Sequence, residues 1–403
     1  MEIPSRIKEV YITKMSVDVH IIRQSRYDAD EIEKKIRPIF DGFKMTVRIG
    51  KDKKVLLKPN MLSASRPDEH ITTHPAIVEA VARILKDRGA KIFLGDSPGA
   101  EIVRDFIGYR KALIKTGFMD IIDKYGITPL HFTTSTRFGL KSNHMFKDIE
   151  IAEQLKDMDA IVNLPKLKTH VRMYLTLCVK NIFGTVVGKK KVQWHFEAGK
   201  NSRIFARILS EIYDTVKPSF HVLDGIDGIE GDGRSSNSIR HMGLIMLGED
   251  GVAIDRIVCE ILGADPKKLL TLDACEALGC GKTDLPEINI VGEKIEDVKV
   301  KDFKFPTCEI IVDEQSEGFL RQYVKKLVMP KPASDKEKCV LCCGCEDVCP
   351  AKAITIKNKK VRIDYRKCIN CFCCKEMCDH NAMRLKKSIF YKFIYAQHDL
   401  NKR

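Results

Sequence analysis

Ten of the fifteen cysteines fall between Cys339 and Cys378, in two runs of the same spacing. Cys339, Cys342, Cys345 and Cys349 follow Cys-x2-Cys-x2-Cys-x3-Cys, with Pro350 after the last. Cys368, Cys371, Cys374 and Cys378 repeat the pattern, with Asp379 in place of the proline. This spacing suits 4Fe-4S clusters: three thiolates on a tight loop reach three irons of one cube, and the fourth points to another cube. The runs therefore interlock. Cys339, Cys342 and Cys345 pair with Cys378, and Cys368, Cys371 and Cys374 pair with Cys349. Disulfides are rare in reducing compartments, and cysteines this crowded indicate metal. Cys343 and Cys373 fall outside the ligand spacing and are read as non-ligating. Cys178, Cys259, Cys275, Cys280 and Cys308 match no common metal spacing and are read as structural thiols.

A second set of chemistry-bearing residues lies upstream, after short apolar runs that read as strands. It comprises Lys58 and Asn60, Asp96 and Ser97, then Asn163, Lys166, Lys168 and His170. Lys180, Asn181 and His195 extend it, and Asp224, Asp227, Glu230 and Asp232 lie in a glycine-rich stretch. In open parallel sheets, ligands bind outside the carboxyl ends of strands, so these segments are expected to share one edge. The lysines suit a carboxylate or phosphate, and an imidazole titrates near neutral pH and can supply a proton. Lys58, Asn60, Lys166, Lys168, Lys180 and Asn181 are the candidate cofactor- or substrate-binding residues. His170, His195 and Asp96 are the candidate catalytic residues, with Asp96 orienting a histidine or holding a metal. The stretch 224–233 has neither calcium-loop nor phosphate-loop spacing, and no dinucleotide fingerprint is present.

The elements that must position these residues alternate. Strands are expected near 17–21, 54–57, 91–95, 127–132, 160–164, 220–223 and 243–247. Helices are expected near 28–40, 75–88, 109–125, 202–216, 252–262 and 266–277, with another starting at Met173. Such alternation predicts an α/β fold: a mainly parallel sheet with helices on both faces, followed by a small C-terminal α+β two-cluster ferredoxin-like domain. The expected organisation is an α/β domain over 1–316 and an amphipathic helix and linker over 317–335. The cluster domain follows over 336–386, then a basic aromatic tail over 387–403.

Hydrophobic residues make up 44% and charged residues 31% of the 403, as in an ordinary globular protein. No apolar run approaches the ~18 residues of a membrane span, and no secretory signal opens the chain, so the expected location is cytoplasmic. Of the net charge of +14, nine units come from residues 336–403, which hold 16 Lys/Arg against 7 Asp/Glu. Each oxidised cluster with its four thiolates carries about −2, which offsets about four of those nine charges. Cluster compensation and a solvated surface account for the charge most simply, and an acidic redox partner or an anionic membrane surface is the alternative. Nucleic acid is not indicated, because no binding motif accompanies the charge.

The segments VLLKPNMLSASRPDEHITTHPAIVEAV, LGDSPG, IVNLPKLKTHVRMYLTLCVKNIFGTVVGKKKVQWH and VLDGIDGIEGDG, with GVAIDRIVCEILG, resemble the family called domain of unknown function 362. The likeness covers about 55–263, and the family often carries a ferredoxin-type module. Arg234 departs from the proline expected after Gly-Asp-Gly. The resemblance implies an iron–sulfur redox role and names no substrate. The leading expectation is an iron–sulfur oxidoreductase passing electrons to or from a small anionic substrate or cofactor. Its rivals are a non-enzymatic electron carrier that docks a redox partner protein through the α/β domain, and an assembly factor for clusters or metal centres.

Overall fold

The computed structural model describes residues 16–43, 49–99, 105–139, 141–233, 238–306 and 329–388. Cys308, Arg234, most of the expected helix and linker, and the tail from 389 onward lie outside the described residues.

Polar and proline caps start the helices. Asp28 accepts from Asp30 N and Glu31 N to open Ala29–Gly42. Pro75 begins Pro75–Asp87 behind His74, whose ring accepts from Ala76 N. Asn201 and Asp250 cap Ser202–Val216 and Gly251–Leu262 in the same way. The single helix expected over 109–125 is two, Phe106–Lys115 and Phe118–Tyr125, because Gly117 at φ 75° breaks the chain between them.

Ten strands form one sheet. They are β1 (Val17–Arg23), β2 (Lys54–Pro59), β3 (Lys91–Asp96), β4 (Thr128–His131), β7 (Ala160–Leu164), β8 (Lys166–His170), β9 (Tyr174–Thr176), β10 (Phe220–Ile229), β11 (Ile239–Gly248) and β12 (Ile288–Gly292). β5 (Ser135–Arg137) and β6 (Glu150–Ala152) make a separate antiparallel pair. The main order is β12-β1-β11-β10-β7-β2-β3-β4, with β8 beside the outer part of β10 and β9 beside β8. β4, β3, β2, β7 and β10 run parallel, and β11 is antiparallel to both β10 and β1. The fold is thus α/β with a mostly parallel sheet. Strand residues alternate between two cores. Leu56, Ile161 and Leu223 pack on the side of helices 202–216 and 251–262, whereas Val55, Leu57, Val162 and Val222 pack on the side of helices 29–42, 75–87 and 118–125.

Two segments outside the expected strands are strands. Lys166–His170 is β8. The glycine-rich stretch continues β10 to Ile229 against β11, with a bulge between Gly225 and Asp227. Glycine makes this close approach possible: a Cβ on Gly228 would stand 2.8 Å from Leu167 O. The helix expected from Met173 is instead the short strand β9 followed by a helix of four residues, Cys178–Asn181.

The cysteine-rich segment is a small α+β unit. β13 (Lys331–Ser334) pairs with β16 (Met383–Lys386), and β14 (Ile354–Lys357) with β15 (Lys360–Ile363). β13 belongs to this unit, so the unit reaches back past the expected boundary at 336. Its halves repeat with an offset of 29 residues, visible in the backbone as well as in the cysteines. Positive φ recurs at Leu341 and Asn370, at Cys343 and Phe372, and at Lys352 and Asn381. Cys349 Sγ accepts from Ala353 N and Cys378 Sγ from Ala382 N, both at 3.2 Å.

Candidate functional site

A cavity of about 350 Å³ opens where the carboxyl ends of β2 and β3 meet the cysteine-rich unit. Asn60, Asp96, Lys168, Lys180, Asn181 and His195 border it, as does Lys191. Its far wall is Val348, Cys373, Glu376 and Met377, from the cysteine runs.

The floor is a chain of side-chain amides. Lys168 Nζ donates to Asn60 Oδ1 (2.7 Å), Asn60 to Asn181 Oδ1 (2.8 Å), and Asn181 to Asn163 Oδ1 (2.7 Å). Asn163 in turn donates to Cys178 O at 3.0 Å. Asp255 anchors the start of helix Cys178–Asn181 by accepting from Cys178 N and Val179 N, which places Lys180 and Asn181 at the cavity. Each amide is satisfied on both sides, so the chain is rigid.

Behind the floor, Lys58 Nζ lies 3.0 Å from Asp96 Oδ1, and both residues are buried. Asp96 Oδ2 also accepts from Met61 N at 2.8 Å. Burial pulls the Lys58 ammonium towards neutrality, and Asp96 opposes this. Gly184 makes room for the pair. A Cβ there would collide with Asp96 Oδ1 and stand 2.6 Å from Lys58 Nζ. Asp96 therefore faces a lysine, not a histidine.

Lys166 does not border the cavity. It is buried against Asp224 Oδ2 (2.9 Å) and Tyr27 OH (2.7 Å), in a network where Asp224 also accepts from His74 N. Two more acidic residues of 224–233 are paired: Asp227 with His241 at 2.7 Å and Glu230 with Arg240 at 3.1 Å.

The cationic wall is strongly perturbed. Burial lowers Lys180, with Glu376 and Cys373 opposing. Burial also pushes Lys191 down to about 7; Asp96 opposes this, and the charges of Lys58 and Lys180 add to it. Lys191 Nζ donates to Ser97 O. His195 stacks on Phe205 with ring centroids 4.2 Å apart, and burial and Arg172 hold it well below its usual value, so it is neutral near pH 7. Its Nδ1 faces Arg172 Nη1 at 3.5 Å, which leaves the proton on Nε2.

His170 stands between the two parts of the protein. Its Nδ1 accepts from Arg172 N (3.1 Å) and Met173 N (2.9 Å), so the proton is on Nε2, which points at Glu376 Oε1 at 2.5 Å. Burial lowers the imidazole to about 4, against the pull of Glu376, so a neutral ring faces the carboxylate here. Burial alone would raise Glu376, but His170, Lys180 and His195 outweigh it and hold the carboxyl below its usual range. Lys375 Nζ donates to Asp232 O, and Phe372 packs on Val171. Arg172 is buried near Cys371 and Cys373, held by Gly199 O and Asn201 O.

Sequence reasoning missed Lys191, Arg172 and Glu376. Lys191 closes a run of three lysines that reads equally well as solvated charge, and Glu376 is hidden inside a cysteine run. The juxtaposition of 371–377 with 168–195 carries no local signal.

Within the cysteine-rich unit, Cys339, Cys342, Cys345 and Cys378 border one small cavity, and Cys343 borders it as well. Burial and the thiols of Cys339, Cys378 and Cys342 push Cys345 up to about 11. Burial also raises Cys374, with Cys371, Cys368, Cys345 and Cys349 adding to it. Cys178, Cys259 and Cys275 are buried in the α/β part, and Cys275 Sγ donates to Ser210 Oγ at 3.3 Å. Among the described residues, no three or more His, Cys, Asp or Glu side chains form a ready set for a single metal ion. No described helix is long and apolar enough to cross a membrane.

Fold and site together define a mixed α/β protein whose sheet-edge cavity is closed by a cysteine-rich unit. The chain belongs to the family described as domain of unknown function (DUF362), whose model matches residues 55–260. A thylakoid-associated protein of Synechocystis is 32% identical over 302 residues, 74% of this chain and 91% of that protein. Among solved structures, the lactate racemase apoprotein of Thermoanaerobacterium thermosaccharolyticum aligns with TM-score 0.38 and 13% identity, over 59% of this chain and 54% of its own. A Thermotoga maritima protein aligns with TM-score 0.35 and 13% identity, over 63% and 60%. The chain thus spans little more than half of either structure.

Proposed function

We propose that the chain is an iron–sulfur oxidoreductase whose two 4Fe-4S clusters exchange electrons with a small anionic molecule in the sheet-edge cavity. The observation that carries this is the shared wall: Cys373 and Glu376, within the second cysteine run, border the same cavity as Lys168, Lys180 and Lys191. The cysteines suit the clusters. The four thiols assigned to the first cluster line one cavity together with Cys343, the other four influence one another, and the ligand loops repeat in backbone as well as sequence. A cube spreads its thiolates over four irons, so a ready set for a single ion is not what such loops provide. When bound, such clusters supply one-electron transfer.

The remaining chemistry belongs to side chains. Lys168, Lys180 and Lys191 bind the anion, and the Asn60–Asn181–Asn163 chain keeps the floor from shifting. Lys191, with its pKa near 7, holds or releases a proton at Nζ at neutral pH, and His195 offers its Nε2–H as a donor.

A charge-assisted contact to a carboxylate or phosphate is worth ~1.5–3 kcal/mol. Lys180→Ala is therefore expected to weaken succinate or phosphate binding roughly ten- to a hundredfold by calorimetric titration. The visible absorbance of the clusters should not change. If the parent binds no small anion and its clusters exchange electrons only with proteins, the carrier function replaces the enzymatic one.

Cys343 is exposed in a left-handed turn and Cys373 faces the cavity. Neither fits the ligand spacing, so Cys343→Ser and Cys373→Ser are expected to retain full iron content. A cluster lost from either variant would redraw the ligand assignment.

A further inference from the structure

The cysteine-rich unit has a second concave face that shares no residue with the cavity. It is a groove of about 860 Å³ whose charged lining is Lys336, Lys359, Lys360, Arg384, Lys386 and Lys387. No Asp or Glu is among the described residues that line it. Leu341, Val361, Ile363, Tyr365 and Leu385 supply most of its apolar part. Tyr365 is fixed there: its hydroxyl donates to Pro332 O at 3.0 Å, and Lys331 Nζ sits 5.3 Å from the ring centroid. Apolar side chains set among charged ones are what a protein interface offers.

The charge exceeds what the clusters need. Residues 329–388 hold 14 Lys/Arg against 7 Asp/Glu. Two cluster sites at about −2 each offset roughly four of those seven excess charges, and the groove concentrates what remains. Its position matters as much as its sign. Cys339 lines the groove and Cys342 is exposed beside it, whereas Cys371 and Cys374 are only 8% and 6% exposed, in the run that meets the cavity. Electron tunnelling decays steeply with distance, so exchange with the outside is fastest at the exposed set of thiols.

We propose that this groove docks a small acidic one-electron carrier protein, and that electrons enter or leave the chain beside Cys339 and Cys342. The proposal rests on the cluster assignment above. Each encounter moves one electron, lost by one protein and gained by the other, with no bond made or broken. Complementary charge would steer the encounter and make it sensitive to salt. A groove with a fixed aromatic floor fits a protein surface better than a lipid plane, into which an exposed apolar ridge would have to insert.

The test uses the reconstituted full chain and a triple variant, Lys336→Glu/Lys359→Glu/Lys360→Glu, at three exposed positions. The probes are two acidic carriers, a plant-type two-iron ferredoxin and a flavodoxin. Binding is followed by interferometry at low and high salt, and iron content and circular dichroism are checked in parallel. The parent should bind at least one carrier, more weakly as salt rises. The triple variant should bind at least tenfold more weakly with its iron content unchanged, and the neutral variant with glutamine at the same positions should fall between. A parent that carries full iron yet binds neither carrier overturns the proposal, as does equal binding by parent and triple variant. Co-sedimentation with phosphatidylserine vesicles without carrier binding also overturns it, in favour of a membrane surface. A parent that fails to retain iron would instead remove the cluster assignment itself, a separate and recognisable failure.

Discussion

Anaerobic reconstitution is expected to load about eight irons and eight acid-labile sulfides per chain, and Cys378→Ala should lower both to about four. The pairing of variants separates an interlocked arrangement from a sequential one. In the interlocked arrangement Cys378 serves the same cluster as Cys342. Adding Cys342→Ala to Cys378→Ala then costs nothing more, whereas adding Cys374→Ala removes the remaining iron. If each run held its own cluster, the two double variants would exchange outcomes. Iron and sulfide assays decide it, with the low-temperature EPR of the reduced protein identifying the surviving cluster. The structural basis is the grouping of thiols: Cys345 is raised first by burial and then by the neighbouring Cys339, Cys378 and Cys342, and Cys378 borders the cavity of the first run. Four irons in the fully loaded parent would defeat the two-cluster assignment outright.

The second large effect is expected at the buried pair under the cavity floor. Lys58→Met removes the cation facing Asp96 Oδ1 and leaves a carboxylate, 3% exposed, with Met61 N as its remaining hydrogen-bond donor. Removing one partner of a buried ion pair typically costs ~3–5 kcal/mol, because the other charge stays desolvated. The urea midpoint of the α/β domain, followed by far-ultraviolet circular dichroism, should fall accordingly. Lys58→Met combined with Asp96→Asn should recover much of the loss, since no charge is then left unpaired. A Lys58→Met protein that unfolds at the parental midpoint would mean that the pair contributes little. Gly184→Ala tests the same point by crowding the pair rather than deleting it.

Several features were legible from residue order because the interactions behind them are local. Cysteine spacing is a property of one tight loop, and the structure bears out the repeat at the level of backbone angles. Helix Pro75–Asp87 could be read from its His74-Pro75 start, and β2, β3 and β7 from short apolar runs. The mostly parallel sheet followed from their alternation, and so did the meeting of Asn60 and Asp96 at one cavity, since strand ends share an edge, whereas Lys180, Asn181 and His195 reach it from helices.

Other features depended on partners far away in the chain. Lys166 and Lys168 are two residues apart on β8, and no propensity distinguishes them. Pairing with Asp224 and Tyr27 buries Lys166 in one network, while Asn60 and Ile71 O hold Lys168 at the cavity. The glycines of 224–233 read as a turn or a metal loop, yet the same absence of side chains lets β10 run on against β8 and β11. Glu376 became part of the site only because His170, 206 positions earlier, presents a neutral Nε2–H to it across the junction. The sequence by itself determined the repeated cysteine loops and the strand-end lysines, because each follows from contacts within a few residues. Only the tertiary structure decided that the two meet around one cavity, because burying opposite charges against each other is a property of the packed chain and not of any segment in it.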